Sequence, residues 1–222
     1  MIRFLKQFKI LLVVLSVLSI VIIASFYTVL KPKKILPIYT PSMVNPELVD
    51  STVQYVAKNH HIADFSFINQ NGKVITQKEY EGKIYVADFF FTTCQSICPV
   101  MTMNMSWLQD KIKNNPKVML LSHSVTPDID SVPVLKKYAI DKGAIDGKWN
   151  LVTGDKKQIY YIARKSYLAV KTGKPEELYD MVHTENFVLV DTKRRVRGFY
   201  DGTKQEQVKQ LLNDIEFLCQ EQ

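Results

Sequence analysis

The sequence predicts an α/β fold in which helices cover a central sheet, preceded by one transmembrane helix. Three observations support this prediction. Strand-like and helical segments alternate over residues 61–222. The apolar run at 84–91 is nearly continuous, as in a central strand covered on both faces. Residues 10–30 contain no charged side chain and would span about 31 Å as a helix, close to a hydrocarbon core of about 30 Å.

Periodicity and turn signals predict the individual elements. Residues 64–69 alternate in polarity, and Asn71-Gly72 indicates a two-residue hairpin turn before the second strand. Pro99 suits the first turn of the helix that follows the central strand, because its missing N–H would have no partner there. The last helix has an apolar stripe along one side. In chain order, strands are expected at 64–69, 73–76, 84–91, 118–125, 150–153, 187–190 and 196–200, and helices at 99–113, 131–142, 155–164 and 203–219.

The chain divides into four expected parts. Residues 1–9 form a cytoplasmic N-terminus, 10–30 a transmembrane anchor, 31–60 an extended, proline-rich linker, and 61–222 the folded domain. A cleaved signal peptide is the alternative to an anchor. Its apolar region would be shorter, about 7–15 residues, and would end at a small-x-small site, which residues 24–26 fit poorly. A short N-terminus before a long domain favours a single-pass protein of the cell membrane with its domain on the exported side.

The charge distribution argues against nucleic-acid binding. The net charge is +7, but residues 1–34 carry six basic side chains and no acidic one, which leaves +1 for the rest. A domain whose net charge is close to zero lacks the excess of basic side chains that binds a polyanion. We therefore expect no nucleic-acid partner.

Two cysteines stand where the central strand is expected to run into a helix. On a helix, residues four positions apart share a face, with Cβ atoms about 5–6 Å apart, so Cys94 and Cys98 are expected to present their sulfurs side by side. The helix N-terminus favours the thiolate. Such a pair binds a soft metal or closes to a disulfide, and the spacing leaves both open. The structural alternative is two buried cysteines packed as small apolar side chains. The remote Cys219 is read as a bystander.

A metal would need a third ligand, and His183, directly before a predicted strand, is the candidate. Two thiolates and one imidazole suit Cu(I), with Zn(II) as the main competitor. His60 and His61 border the linker and are expected to be solvated, while His123 is expected to be a hydrogen-bonded histidine of the core. Three methionines could add thioether ligands, but packing of the helix against the core is favoured. These are Met101, Met103 and Met105.

Together these residues resemble the SCO/SenC family. The resemblance rests on Phe-Thr-x-Cys-x-x-x-Cys-Pro at 91–99, Ser-Val-x-Pro-x-x-Asp at 124–130 and His-Thr at 183–184, and it covers about residues 60–218. It implies a thioredoxin-like three-layer sandwich with an added β-hairpin. It also implies copper, as Cu(I) and/or Cu(II), bound by Cys94, Cys98 and His183, with the two cysteines as a redox couple. The implied role is assembly of the CuA centre of cytochrome c oxidase.

The sequence departs from the family pattern at three places. Gln95-Ser96 replaces a frequent Pro-Asp between the cysteines, and Thr126-Pro127 replaces a frequent Asp-Pro, although Asp130 keeps the later acid. Val182 stands where an aspartate often precedes the histidine, and Asp180 is the nearest acid. We expect Asp130 and Asp180 to lie behind the metal ligands, where Asp180 could orient the imidazole by a hydrogen bond.

Asp88 favours redox chemistry. It lies six residues before Cys94 within the apolar run and resembles the buried aspartate of thioredoxins. Such a carboxyl group can have a raised pKa and pass protons to or from the second thiol. The alternative is that Asp88 faces a polar edge or caps a neighbouring loop.

The sequence thus leaves two functions of different classes. The first is a membrane-anchored copper chaperone, which is not an enzyme, with the CuA-bearing oxidase subunit as its partner. The second is a thiol–disulfide oxidoreductase that reduces cysteines of that subunit or of another copper carrier, and a thiol reductase could be a further partner. Nothing specific favours a redox or copper sensor. A peroxidase is disfavoured because no arginine lies near Cys94 in sequence.

Overall fold

The computed structural model describes residues 8–30, 35–169, 171–172, 181–182 and 185–221, with the backbone alone at 28–29, 171–172 and 181–182. These residues belong to two compact units, Met1–Ile35 and Leu36–Gln222. Helix α1, Lys9–Leu30, forms the first unit, as the sequence predicts. It is long and apolar enough to cross a membrane, a property that signal sequences share.

The second unit contains four helices and nine strands among the described residues. The helices are α2 (Cys98–Ile112), α3 (Val132–Asp141), α4 (Lys156–Lys165) and α5 (Gln205–Gln220). The strands are β1 (Ser66–Asn69), β2 (Val74–Thr76), β3 (Ile84–Phe90), β4 (Val118–Ser124), β5 (Trp149–Thr153), β6 (Lys171–Thr172), β7 (Met181–Val182), β8 (Asn186–Val190) and β9 (Val196–Asp201). Short 3₁₀ helices cover Pro41–Met43, Pro46–Leu48 and Gln77–Tyr80.

Seven strands form one mixed sheet in the order β2-β1-β5-β4-β3-β8-β9, while β6 and β7 pair separately. Strands β3, β4 and β5 run parallel, and the other pairs are antiparallel. Alternate residues of β3 enter two cores. Val86 and Phe90 face the core that α2, α3 and α5 cover, whereas Ala87 and Phe89 face the core under α4. The predicted α/β sandwich is therefore confirmed, and its central strand is buried along its whole length.

The first hairpin forms where the sequence predicts it, but its loop is longer. Ile68 pairs with Val74, which leaves residues 70–72 as a three-residue loop rather than a two-residue turn. Asn69 causes the difference, because its side-chain oxygen accepts the N–H groups of Asn71 and Lys73 at 3.0 Å each. Gly72 has a φ of +73°, the left-handed conformation that such a loop requires.

Residues 36–60, which we call the strap, pack on the domain where an extended linker was expected. The side chains of Leu36 and Val49 are buried. The N–H of Tyr39 donates to the carbonyl of Val196 at 2.8 Å, at the edge of the sheet. The guanidinium of Arg197 donates to the carbonyls of Leu36 at 2.9 Å and of residue 37 at 3.0 Å. The compact unit accordingly begins at Leu36.

Candidate metal centre

The two cysteines lie at the carboxyl end of β3 and belong to the core on the α2 side. β3 ends at Phe90 and α2 begins at Cys98, so Cys94 lies in the intervening loop, residues 91–97, which we call the cysteine loop. Only Cys98 is helical, so the prediction that both cysteines share a helix face is wrong. The thiols are free, and they lie close enough for each to shift the pKa of the other. Cys94 is 9% exposed and Cys98 1% exposed.

The pKa of one thiol is lowered and that of the other is raised. Burial would raise the pKa of Cys94, but hydrogen bonds to its sulfur from Cys98 and from the hydroxyl of Ser96, 3.6 Å away, lower that pKa to about 7. Burial raises the pKa of Cys98 to about 12, and its hydrogen bond to Cys94 adds to this. The expected effect of the helix N-terminus on Cys98 is therefore outweighed by burial. The reactive thiolate at neutral pH is that of Cys94.

The side chain of Asp88 lies on the face of β3 that meets the core containing the two thiols. Its side chain is 2% exposed, and its Oδ1 lacks a hydrogen-bond partner among the described residues. Burial raises the pKa of Asp88 to about 7, although a hydrogen bond from Ser122 opposes the rise. The alternative that Asp88 faces a polar edge does not fit this burial. A carboxyl group with this pKa can exchange a proton near neutral pH.

Asp130 lies behind the cysteine loop. Its buried carboxylate binds Thr92, two residues before Cys94, and Ser124 at the end of β4. The segment from 124 to 130, which the sequence marks as a motif, thus contacts the backbone that carries the first thiol. The contacts to Asp130 come from hydroxyl groups and from the backbone N–H of Thr92.

His183 and Asp180 lie outside the described residues, so the predicted third ligand stays a prediction. Among the residues that the structure does describe, no three Cys, His, Asp or Glu side chains come together as a metal site. Glu185, two residues after His183, is described with its side chain. Its carbonyl accepts the N–H of Gly202 at 2.6 Å, and the carbonyl of Gly202 accepts the side-chain amide of Asn104 at 2.7 Å. The buried side-chain amide of Asn104 therefore connects α2 to the chain just beyond His183, through Gly202.

The other histidines lie away from the thiols. His60 is half-buried and hydrogen-bonds the carbonyl of Ser166 at 2.7 Å, and the exposed His61 contacts the carbonyl of Lys193 at 2.9 Å. His123 is in the core, as predicted, but neither ring nitrogen has a hydrogen-bond partner in the described part of the chain. Its ring stacks on Phe89 with centroids 4.9 Å apart. Burial lowers the pKa of His123 to about 3.

The methionines of α2 follow the packing prediction at two of three positions. Met101 and Met105 are buried, whereas Met103 is 64% exposed. The bystander Cys219 is half-buried on α5, where its sulfur accepts the side-chain amide of Asn115 at 3.5 Å. Met101 and Met105 belong to the same buried core cluster as the two thiols, and Cys219 packs against that cluster.

The sequence did not point to Asn104 or Tyr138. Asn104 is a polar residue at a buried helix position, and this placement is the signal that could have found it. Tyr138 hydrogen-bonds the hydroxyl of Thr102 at 2.8 Å, and burial raises its pKa to about 12, with the nearby charges of Cys98 and Asp88 adding to the effect. Its position beside the thiols depends on the packing of α3 against α2, which no local pattern reveals.

Comparison with known proteins places this arrangement in context. The family model described as SCO1/SenC matches residues 53–220. The SCO1 protein homolog of Bacillus subtilis (strain 168) is 34% identical over 159 residues, which cover 71% of this chain and 82% of that protein.

Solved structures agree with this match. A SCO1/SenC family lipoprotein from Bacillus anthracis str. Ames has 33% identity and a TM-score of 0.66, covering 72% of this chain and 96% of that one. BsSco, described as a Sco family cytochrome c oxidase assembly protein with a disulfide switch, has 33% identity and a TM-score of 0.61, covering 71% and 92%. Arabidopsis thaliana ScoI with copper bound has 27% identity and a TM-score of 0.57, covering 70% and 98%.

Proposed function

This chain belongs to the SCO1/SenC family, and we propose that it is a membrane-anchored copper chaperone. It would bind copper as cargo through Cys94, Cys98 and His183 and deliver it by ligand exchange to the CuA site of a cytochrome c oxidase subunit. The observation that carries the proposal is the pair of free, buried thiols that lie in one core cluster at the carboxyl end of β3. The copper-bound A. thaliana relative and the oxidase-assembly role given for BsSco support the choice of cargo and recipient.

The donor set suits copper better than zinc. The Cys94 thiol, with a pKa of about 7, is substantially deprotonated at neutral pH, and metal binding would displace the proton of Cys98. Soft thiolates favour Cu(I), whereas a structural zinc site needs four ligands. Asp180 is proposed to orient His183, and the Asn104–Gly202–Glu185 connection would hold the neighbouring backbone.

The proposed location follows from α1. Its 22 residues would anchor the chain in the cell membrane as a single-pass helix, with the N-terminus in the cytoplasm and the domain on the exported side. In this arrangement the domain could meet the oxidase subunit, another copper carrier or a thiol reductase on the same side of the membrane.

Copper titration of the full chain in detergent tests the proposal. We expect one Cu(I) per chain and no binding after Cys94→Ser. His183→Ala should weaken binding by at least about a hundredfold, because loss of a ligand costs more than loss of a ligand's hydrogen-bond partner, which costs about 10–100-fold. His61→Ala is the matched control, since His61 is exposed and contacts a loop carbonyl. Unchanged affinity after His183→Ala, or tighter binding of Zn(II) than of Cu(I), would contradict the assignment.

The separated acidities of the thiols favour a second candidate, a thiol–disulfide oxidoreductase. Cys94 would attack a partner disulfide as the thiolate, and Cys98 would resolve the mixed disulfide, with Asp88 taking the proton of Cys98. The disulfide switch named for BsSco supports this reading. The two roles are compatible, because only the reduced thiols bind copper.

Alkylation of the reduced, copper-free chain tests the assignment of the two thiols. Iodoacetamide should modify Cys94 at a rate that rises through about pH 7, because the thiolate is the nucleophile and its pKa is lowered. Cys98 should stay unmodified up to pH 9, since its pKa is about 12. Mass spectrometry of the peptides gives both rates, with Cys219 as an internal reference. Equal rates at the two cysteines, or faster modification of Cys98, would refute the assignment.

A further inference from the structure

The buried carboxylate of Asp130 lies at the centre of a cluster of three hydroxyl groups. Its Oδ1 accepts the hydroxyl of Thr92 at 2.5 Å. Its Oδ2 accepts the hydroxyls of Ser124 at 2.5 Å and Thr126 at 3.0 Å, and the backbone N–H of Thr92 at 3.3 Å. The side chain is 0% exposed. One carboxylate thus joins the cysteine loop to the end of β4 and to the segment that leads into α3.

The two cysteines are held in different ways. Cys98 is the first residue of α2, so the helix and its core packing fix its backbone. Cys94 lies in the cysteine loop, where its N–H donates to the carbonyl of Phe91 at 3.3 Å and its sulfur contacts Ser96. Both of these hydrogen bonds are local to the loop, and the Cys94 side chain otherwise packs in the core. The bonds from Thr92 to Asp130, in contrast, reach outside the loop and relate it to the sheet.

We propose that Asp130 is a positioning residue that sets the place of the Cys94 sulfur relative to the Cys98 sulfur through Thr92. It thereby sets how firmly the dithiol retains copper and how readily the two thiols close to a disulfide. The copper part rests on the proposed function, whereas the disulfide part does not. Hydrogen bonds to a carboxylate are the strong class, and the side chain of Asp130 that accepts them is 0% exposed.

The equilibrium for disulfide formation between Cys94 and Cys98 reports the relative position of the two sulfurs, and its measurement needs no copper. In a glutathione buffer, Cys94 and Cys98 lose two protons and two electrons to form one S–S bond. One glutathione disulfide is reduced to two glutathione thiols. The equilibrium constant is the effective concentration of one thiol at the other, which depends steeply on their geometry.

The test uses the full chain in detergent with two readouts, this equilibrium constant and the rate of Cu(I) release to a chelator. Thr92→Val removes the hydroxyl with little change of shape and should lower the equilibrium constant about tenfold. It should also speed copper release about tenfold. Thr92→Ser keeps the hydroxyl and should behave like the wild type. Thr52→Val is the matched control, because Thr52 makes the same kind of bond to Asp50, at 2.6 Å, in the exposed strap.

A double-mutant cycle separates positioning from a general loss of structure. Asp130→Asn should shift both readouts in the same direction, and Thr92→Val should add little to it, since the two residues act through one contact. Additive effects, or a Thr92→Val variant with both readouts like those of Thr52→Val, would overturn the proposal. If neither the wild type nor any variant binds copper, the proposed function fails, and the glutathione equilibrium still decides whether Asp130 positions the dithiol.

Discussion

Replacing Arg197 with methionine is expected to lower the free energy of unfolding by about 3 kcal/mol, the lower end of the range for breaking a buried ion pair. The guanidinium contacts Asp191 at 3.0 Å, and these side chains are 5% and 2% exposed. Burial would raise the pKa of Asp191, but hydrogen bonds from Arg195 and Arg197 hold it below its ordinary value. The retained Arg195 contact, at 2.7 Å, is why the lower end applies.

The same substitution should release the strap. Arg197 is the donor to the carbonyls of Leu36 and residue 37, and a buried carbonyl without a partner costs about 1–3 kcal/mol unless water reaches it. The strap can move into water, which limits this cost but exposes the side chain of Leu36. Proteolysis within residues 36–60 should accordingly become faster than elsewhere in the domain.

Arg194→Met provides the matched control for this prediction. Arg194 pairs with Asp64, whose side chain is 72% exposed, so the loss should be at most about 1 kcal/mol. Urea unfolding of the full chain in detergent, followed by the fluorescence of Trp107 and Trp149, measures both variants. If Arg197→Met were no more destabilising than Arg194→Met, the buried cluster would not be what holds the strap.

The sheet and its helices could be predicted from the sequence because their apolar patterns are local. Residues 84–90 are apolar almost without interruption, and the helix after them begins beside Pro99, within one residue of the prediction. The strap could not be predicted in this way. Its buried residues Leu36 and Val49 are scattered among prolines, and their main partner, Arg197, reads as a solvated charge in a strand.

The thiol pair shows the same limit within the site. Four-residue spacing suggested a shared helix face, yet the chain between Phe90 and Cys98 is a loop. What holds this loop is Asp130, which is 38 residues from Thr92 in sequence. The residue types therefore predict a dithiol site, while the contact between Thr92 and Asp130 depends on the folding of β4 beside β3. The role of His183 stays a prediction.

His123→Phe and Asp88→Asn are expected to change the pH dependence of stability in opposite directions. Both groups are neutral in the folded protein over part of the acid range, and they lie on opposite faces of the sheet. Protonation makes His123 positive, whereas loss of a proton makes Asp88 negative. Burial lowers the pKa of His123 to about 3 from an ordinary value of 6.5. Burial raises the pKa of Asp88 to about 7 from 3.8.

The signs follow from proton uptake. Between about pH 4 and 6.5 the unfolded chain binds a proton at His123 that the folded chain does not, so this group makes stability rise with pH. Over the same interval the folded chain holds a proton at Asp88 that the unfolded chain releases, so this group makes stability fall with pH. Each slope is about 1.4 kcal/mol per pH unit, and the two cancel in the wild type.

Each variant should therefore reveal the slope of the group that remains. Relative to the wild type, His123→Phe should become less stable as the pH rises from 4 to 6.5, by about 1.4 kcal/mol per unit. Asp88→Asn should become more stable over the same range by a similar amount. Urea unfolding at four pH values measures both slopes. Parallel curves for the wild type and both variants would mean that both groups titrate normally in the folded chain. A change confined to Asp88→Asn would mean that only Asp88 has a perturbed pKa in the folded chain.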